Sequence, residues 1–190
     1  MDTSNILIVG VGGQGTLLAS RILGELFMAA GMDVKLSEVH GMAQRGGSVV
    51  TYVRAGESVA SPLVSPGEAD VIISFELLEA LRWRKYAKKG GKIITCTEKI
   101  DPMPVITGAA EYPQNIIETI RGEDYEVIPV DALGLAKEAG SARSLNIVML
   151  GTASRFMQTG LDWEGALRRS IKPAFIDVNL KAFELGQNVR

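Results

Sequence analysis

Apolar and polar positions follow two rhythms along this chain, and each change of rhythm marks an element. Ile6 to Val9 is an unbroken apolar run, the pattern of a strand covered on both faces. It ends in the glycines of NILIVGVGGQG. Leu17, Leu18, Ile22, Leu23, Leu26 and Phe27 then recur at helical spacing through Ala30, and Gly31 is placed to stop the helix. Val34 and Leu36 alternate with polar neighbours in DVKLSEV, a second strand completing a β-α-β unit with a right-handed crossover. Ser48 to Arg54, rich in Val, Thr and Tyr, reads as a further strand and an antiparallel edge to the sheet. ADVIISF and Lys92 to Thr97 have the continuous apolar character of buried strands, and between them Glu76 to Lys89 predicts a helix closed by Gly90-Gly91.

Prolines and glycines mark a long loop from Lys99 to Pro113, followed by a short helix in QNIIETIRG and a strand in YEVIPV. The remainder is helical: ALGLAKEAG capped by Asp131, LNIVMLGTASRFM after Ser144, WEGALRRSI capped by Asp162, and an amphipathic piece beyond Pro173. Strands alternating with helices predict an α/β fold, a Rossmann-like three-layer domain with a mostly parallel sheet and helices on both faces. No linker or charge run divides the chain, so residues 1–190 read as one domain.

Gly10, Gly12 and Gly15 fit the spacing G-x-G-x-x-G, with Gly13 and Gln14 between them. Such a turn lets bare backbone approach a ligand, and the unpaired amides of the following helix favour an anion or a partner's backbone. The same glycines also serve to pack a helix on its strand, so the spacing leaves both readings open. Glu38 stands near the distance at which a dinucleotide-binding fold places an acid for the ribose. The next segment departs from that fold: HGMAQRGGSV replaces a second amphipathic helix and carries His40, Gln44, Arg45, Gly46 and Gly47. A loop this polar and glycine-rich reads as a site or an interface. Arg45 suits bidentate contact with a phosphate or carboxylate, or an ion pair with Glu38 or a neighbouring subunit. His40, the sole histidine, is the candidate for proton transfer, with a structural or hydrogen-bonding role as its other reading.

Composition narrows the chemistry. Twenty Lys and Arg against 22 Asp and Glu give a formal charge of -2, so no basic field draws nucleic acid or an acidic membrane. LRWRKYAKK is locally basic but reads as a solvated helix end anchored by Trp83 and Tyr86. The only thiol, Cys96, lies in the apolar run KIITCT and is expected to be buried and inert, leaving no disulfide and no cysteine set for zinc or an iron–sulfur cluster. Metal-ligand and nucleophile-elbow spacings are absent, so no self-sufficient catalyst is expected. No apolar run reaches membrane-spanning length and the N-terminus lacks a signal pattern, which predicts a cytoplasmic setting.

GVGGQG at the first turn, HGMAQRGGSV after the second strand, SFELLEALR and LNIVMLG together resemble the small (beta) subunit family of indolepyruvate ferredoxin oxidoreductase. This lies within the 2-oxoacid:ferredoxin oxidoreductases, whose equivalent piece is the gamma subunit or domain. The resemblance covers nearly the whole chain. It implies a complex that oxidatively decarboxylates an aryl 2-oxoacid, indolepyruvate, on thiamine diphosphate, passes electrons through iron–sulfur clusters to ferredoxin and releases an acyl-CoA. Thiamine diphosphate and the clusters would then belong to a large (alpha) partner subunit, with coenzyme A as co-substrate. This chain would wall the active site, with Gly10, Gly12, Gly13, Gln14 and Gly15 shaping one turn and His40, Gln44, Arg45, Gly46 and Gly47 facing the partner or coenzyme A. Separated from its partner, it is expected to self-associate through the exposed docking patch. A stand-alone dinucleotide-binding dehydrogenase and a non-catalytic scaffold subunit are the alternatives.

Overall fold

The computed structural model describes residues 3–41, 46–123 and 125–189. Six strands, β1 (Ser4–Val11), β2 (Asp33–His40), β3 (Ser48–Gly56), β4 (Ala69–Ser74), β5 (Ala87–Cys96) and β6 (Glu126–Val130), pair in the order β2-β3-β1-β4-β5-β6. β1, β4, β5 and β6 run parallel, while β3 is antiparallel to both β1 and β2. Side chains alternate across β1. Ile6 and Ile8 enter one core, formed with α1 (Thr16–Ala29) and four later helices. Leu7 and Val9 enter a second core on the opposite face, formed with α2 (Leu77–Trp83) and, beyond the short α3 (Met103–Ile106), α4 (Ile116–Arg121). The later helices of the first core are α5 (Ala132–Ala139), α6 (Leu145–Ser154), α7 (Trp163–Ser170) and α8 (Ile176–Gln187). The three-layer α/β architecture and the mostly parallel sheet therefore match the expectation.

Two local expectations are corrected. The strand from Ser48 is not the sheet edge: β3 lies between β2 and β1, and β2 is the edge. The side chains explain this, since Val49, Val50, Tyr52, Val53 and Ala55 are buried and supply both faces of an interior strand, whereas β2 has no buried residue. The β1-α1-β2 unit is thus split by an inserted antiparallel strand.

The helix predicted over Glu76 to Lys89 stops at Trp83, passes through a single 3-10 turn at Arg84–Tyr86, and becomes β5 at Ala87. Lys88 and Lys92 act as strand residues, pairing with Asp70 on β4 and Glu126 on β6. Gly90, at φ 69°, lies within β5 where its register against β4 shifts between the Ala87 and Lys92 pairs, and does not close a helix. Cross-strand partners far away in sequence outweigh the local helical pattern. Trp83 and Tyr86 do anchor the segment, with ring centroids 4.9 Å apart against the second core.

Asp131 and Asp162 cap their helices as expected, accepting the amides of Gly134 and Gly165 at 2.9 Å. Ser144 makes no capping hydrogen bond at α6.

Candidate functional site

Because β1, β2, β4, β5 and β6 point the same way, the turns that follow them gather at one end of the sheet, where open α/β sheets bind ligands. The glycine turn after β1 is held by Gln14. Its Oε1 accepts the Val11 amide at 2.7 Å, and its Nε2 donates to the Phe75 carbonyl at 2.8 Å, tying the turn to the end of β4. A Cβ on Gly10 would come within 2.9 Å of that Oε1. Gly15 is left-handed at φ 87°, and its carbonyl accepts Asn146 Nδ2 from α6 at 3.2 Å. Each glycine thus answers a distinct demand, one of space and one of conformation.

The second glycine segment is bonded to the first. Gly12 donates its amide to the Gly47 carbonyl at 2.9 Å, Gly46 N lies 3.5 Å from Gly12 O, and Gly41 N donates to Ser48 O at 3.0 Å. Gln44 and Arg45 lie outside the described residues. His40 is at the end of β2, about half exposed, with Nε2 2.8 Å from Glu38 Oε1. Glu38 Oε2 accepts the Thr51 hydroxyl at 2.8 Å and lies 3.4 Å from Thr16 Oγ1 at the start of α1. Both oxygens of the proposed ribose acid are therefore committed to protein groups. A ribose diol would have to displace them, which weighs against the dinucleotide reading.

Beside the glycine turn lies a cleft of about 530 Å³ lined by Gly13, Gln14, Gly15, Leu18 and residues at the start of α6. It shares Leu18, Ala142, Arg143 and Asn146 with a larger cleft of about 820 Å³ that runs toward α8. The start of α1 has neither an acidic residue in its first turn nor a side-chain cap, so its positive end is not neutralised locally. Arg143 is exposed and has no ion-pair partner among the described residues. Asn146 is 3% exposed, and its Oδ1 is a buried acceptor without a donor. Sequence reasoning missed Arg143 and Asn146 as site residues; an amide at the second position of the otherwise apolar LNIVMLG was the available signal.

The residues do not fit an iron–sulfur cluster. Cys96 is fully buried at the end of β5, and burial pushes its thiol pKa up, away from the thiolate that ligation requires. Among the described residues no group of three or more His, Cys, Asp or Glu is placed to hold a metal ion, and no helix is long and apolar enough to cross a membrane.

Fold and site together define a doubly covered α/β domain in which the first of two joined glycine loops lines a cleft at the carboxyl end of the sheet. The family model described as pyruvate ferredoxin/flavodoxin oxidoreductase matches residues 5–189, and the chain belongs to that family. It is 45% identical to "Indolepyruvate oxidoreductase subunit IorB" of Thermococcus kodakarensis and 43% identical to the protein of that name from Pyrococcus horikoshii. Each alignment covers 98% of this chain and 95% of the relative. The fold is similar to the crystal structure of the keto/oxoacid ferredoxin oxidoreductase gamma subunit from Geobacter sulfurreducens. That match has a TM-score of 0.69 at 22% identity and covers 96% of this chain and 95% of the other.

Proposed function

We infer that this chain is the small subunit of an indolepyruvate:ferredoxin oxidoreductase, active only in complex. The complex would cleave the bond between the carboxylate and the 2-oxo carbon, release carbon dioxide, join the acyl group to the coenzyme A sulfur and pass the electron pair to ferredoxin. The iron–sulfur clusters are assigned to the large partner subunit, since the one thiol here is buried, and thiamine diphosphate is assigned there on the family resemblance and the lack of a G-D-G segment in this sequence. No step of the redox chemistry is routed through this chain.

The observation that carries the reading is the junction of the two glycine loops, Gly12 N to Gly47 O, next to Gly13, Gln14 and Gly15, which line a cleft without a self-contained catalytic set. This suits a wall that binds and orients. The amides at the start of α1, with Arg143 and Arg45, favour the phosphates of coenzyme A. Leu18 and the apolar side of the larger cleft suit the remainder of the ligand. His40 is the candidate proton-transfer group, with its Nε2 2.8 Å from Glu38 Oε1.

The test is indolepyruvate turnover with coenzyme A and ferredoxin, by this chain alone, by the large subunit alone and by the two mixed anaerobically. Turnover is expected only in the mixture, and equal turnover by the large subunit alone would sink the reading. In the mixture Arg45→Ala should raise the KM for coenzyme A about tenfold, the scale of one charged hydrogen bond. A scaffold would instead leave both KM and kcat unchanged.

A further inference from the structure

The segment SFELLEALR places two carboxylates just after β4, and neither has a part in the proposed binding of coenzyme A. Glu76 is 1% exposed and Glu79 3% exposed, a placement that carboxylates rarely take without defined partners. Each holds a different loop at the site end of the sheet. Glu79 Oε2 accepts the Ser48 hydroxyl at 2.5 Å, at the exit of the second glycine loop, and its Oε1 pairs with Arg82 at 3.0 Å. Glu76 Oε1 accepts the Tyr112 hydroxyl at 2.5 Å and the Ile100 amide at 3.1 Å, both from the long loop after β5. Glu76 Oε2 accepts the Glu79 amide at 2.9 Å, which fixes the two carboxylates to one helical turn.

The neighbouring backbone completes the arrangement. Phe75 O accepts Gln14 Nε2 from the glycine turn, Leu77 N donates to Glu98 O at 3.0 Å, and Leu78 N donates to Tyr112 Oη at 3.1 Å. Residues 75–79 therefore touch three loops that follow or precede three different strands.

We propose that Glu76 and Glu79 are positioning residues that fix the exit of the second glycine loop at Ser48 and the 97–113 loop to the start of α2, whose preceding carbonyl, Phe75 O, holds the first glycine turn, so that the three form one surface for the reaction of the complex. The bearing on turnover rests on the reading that the glycine loops meet coenzyme A. Geometry supports the assignment over a purely stabilising role. Helix α2 needs one cap, and Glu76 Oε2 supplies it; the contacts to Ser48, Tyr112 and Ile100 reach beyond the helix to other segments. Removing the Ser48 hydroxyl cuts one hydrogen bond and removing the Tyr112 hydroxyl cuts two, to Glu76 and from the Leu78 amide, while both carboxylates and the Glu76 cap of the helix are kept.

The experiment compares Ser48→Ala, Ser48→Thr and Tyr112→Phe in two measurements. Backbone amide exchange of the full chain is followed at 46–50, at 97–113 and, as an internal control, in α1. Ser48→Ala should speed exchange at 46–50 about tenfold and Tyr112→Phe at 97–113 by a similar factor, with α1 unchanged and Ser48→Thr restoring the wild-type rate. In the reconstituted complex Ser48→Ala should raise the KM for coenzyme A about fivefold with kcat within twofold, and the Thr variant should restore it. Unchanged exchange in both loops overturns the proposal, as does faster exchange with unaltered KM in an assay where Arg45→Ala does raise KM. If Arg45→Ala also leaves KM unaltered, the coenzyme A reading has failed and the positioning role falls with it.

Discussion

Gln14 shows how much one side chain can decide. Its amide spans from the Val11 amide to the Phe75 carbonyl, so the turn after β1 and the end of β4 share a single bracket. Gln14→Ala would leave a donor and an acceptor without partners in a half-buried setting, costing about 2 kcal/mol. Urea unfolding of the isolated chain checks this, with Gln14→Glu as a companion: its carboxylate can still accept from Val11 but cannot donate to Phe75, so it should recover part of the loss. Gly15 answers a different constraint. A Cβ there would lie 2.7 Å from Asn146 Nδ2 on a backbone already left-handed, so replacing its hydrogen would displace the Asn146 amide and strain the turn. The sequence motif identified these positions but not their reasons, because Phe75 and Asn146 are distant in the chain.

At the scale of elements, the close crossing of α6 and α8 rests on two reciprocal glycines. A Cβ on Gly151 would meet the Phe183 backbone, and one on Gly186 would meet the Val148 carbonyl; Thr152 Oγ1 donates to Gly186 O at 2.9 Å across the same contact. Neither glycine has positive φ, so the demand is for approach rather than conformation. Gly151→Ala and Gly186→Ala should each destabilise the chain by about 2–3 kcal/mol, as overpacked contacts do. Gly122, which ends α4 with φ −67° and only ordinary contacts at 3.5 Å, is the control. Gly122→Ala should be neutral or stabilise by about 0.5 kcal/mol through the unfolded chain. A denaturation midpoint for each variant reads the difference. Periodicity predicted both helices, yet nothing in either segment shows that their glycines face each other.

For the whole molecule, Glu79 links loop placement to the pH dependence of stability. Burial raises its pKa, while the Ser48 hydroxyl and the Arg82 guanidinium oppose the shift without cancelling it. A carboxyl whose folded pKa lies above the unfolded value binds its proton more tightly when folded. Its favourable contribution is therefore fully present below the unfolded pKa and is lost as pH rises through the folded pKa. Glu79→Gln removes that dependence. The wild-type chain should accordingly gain stability relative to Glu79→Gln as pH falls through the folded pKa toward the unfolded value, measured by urea unfolding across that window. A gap that stays constant with pH would show that the carboxylate is not held in the buried state described.

The sequence alone determined the α/β class, the order of strands and helices, the two glycine segments, two of the helix caps and the resemblance that led to the family. These have local causes: apolar periodicity, turn residues and capping side chains act within a few residues of one another. The glycine loops stood out in the sequence because their composition suits no regular element. The strand order was not legible, since inserting β3 between β1 and β2 depends on which hydrophobic faces find cover. Nor was the shortening of α2, where Lys88 and Lys92 pair with Asp70 and Glu126 on neighbouring strands. Only the tertiary structure could bring Gly12 to Gly47, Gly15 to Asn146 and Glu79 to Ser48. Hydrogen bonds and close packing act over a few ångströms of space, and the chain separation of the groups they join leaves no periodic trace in the sequence.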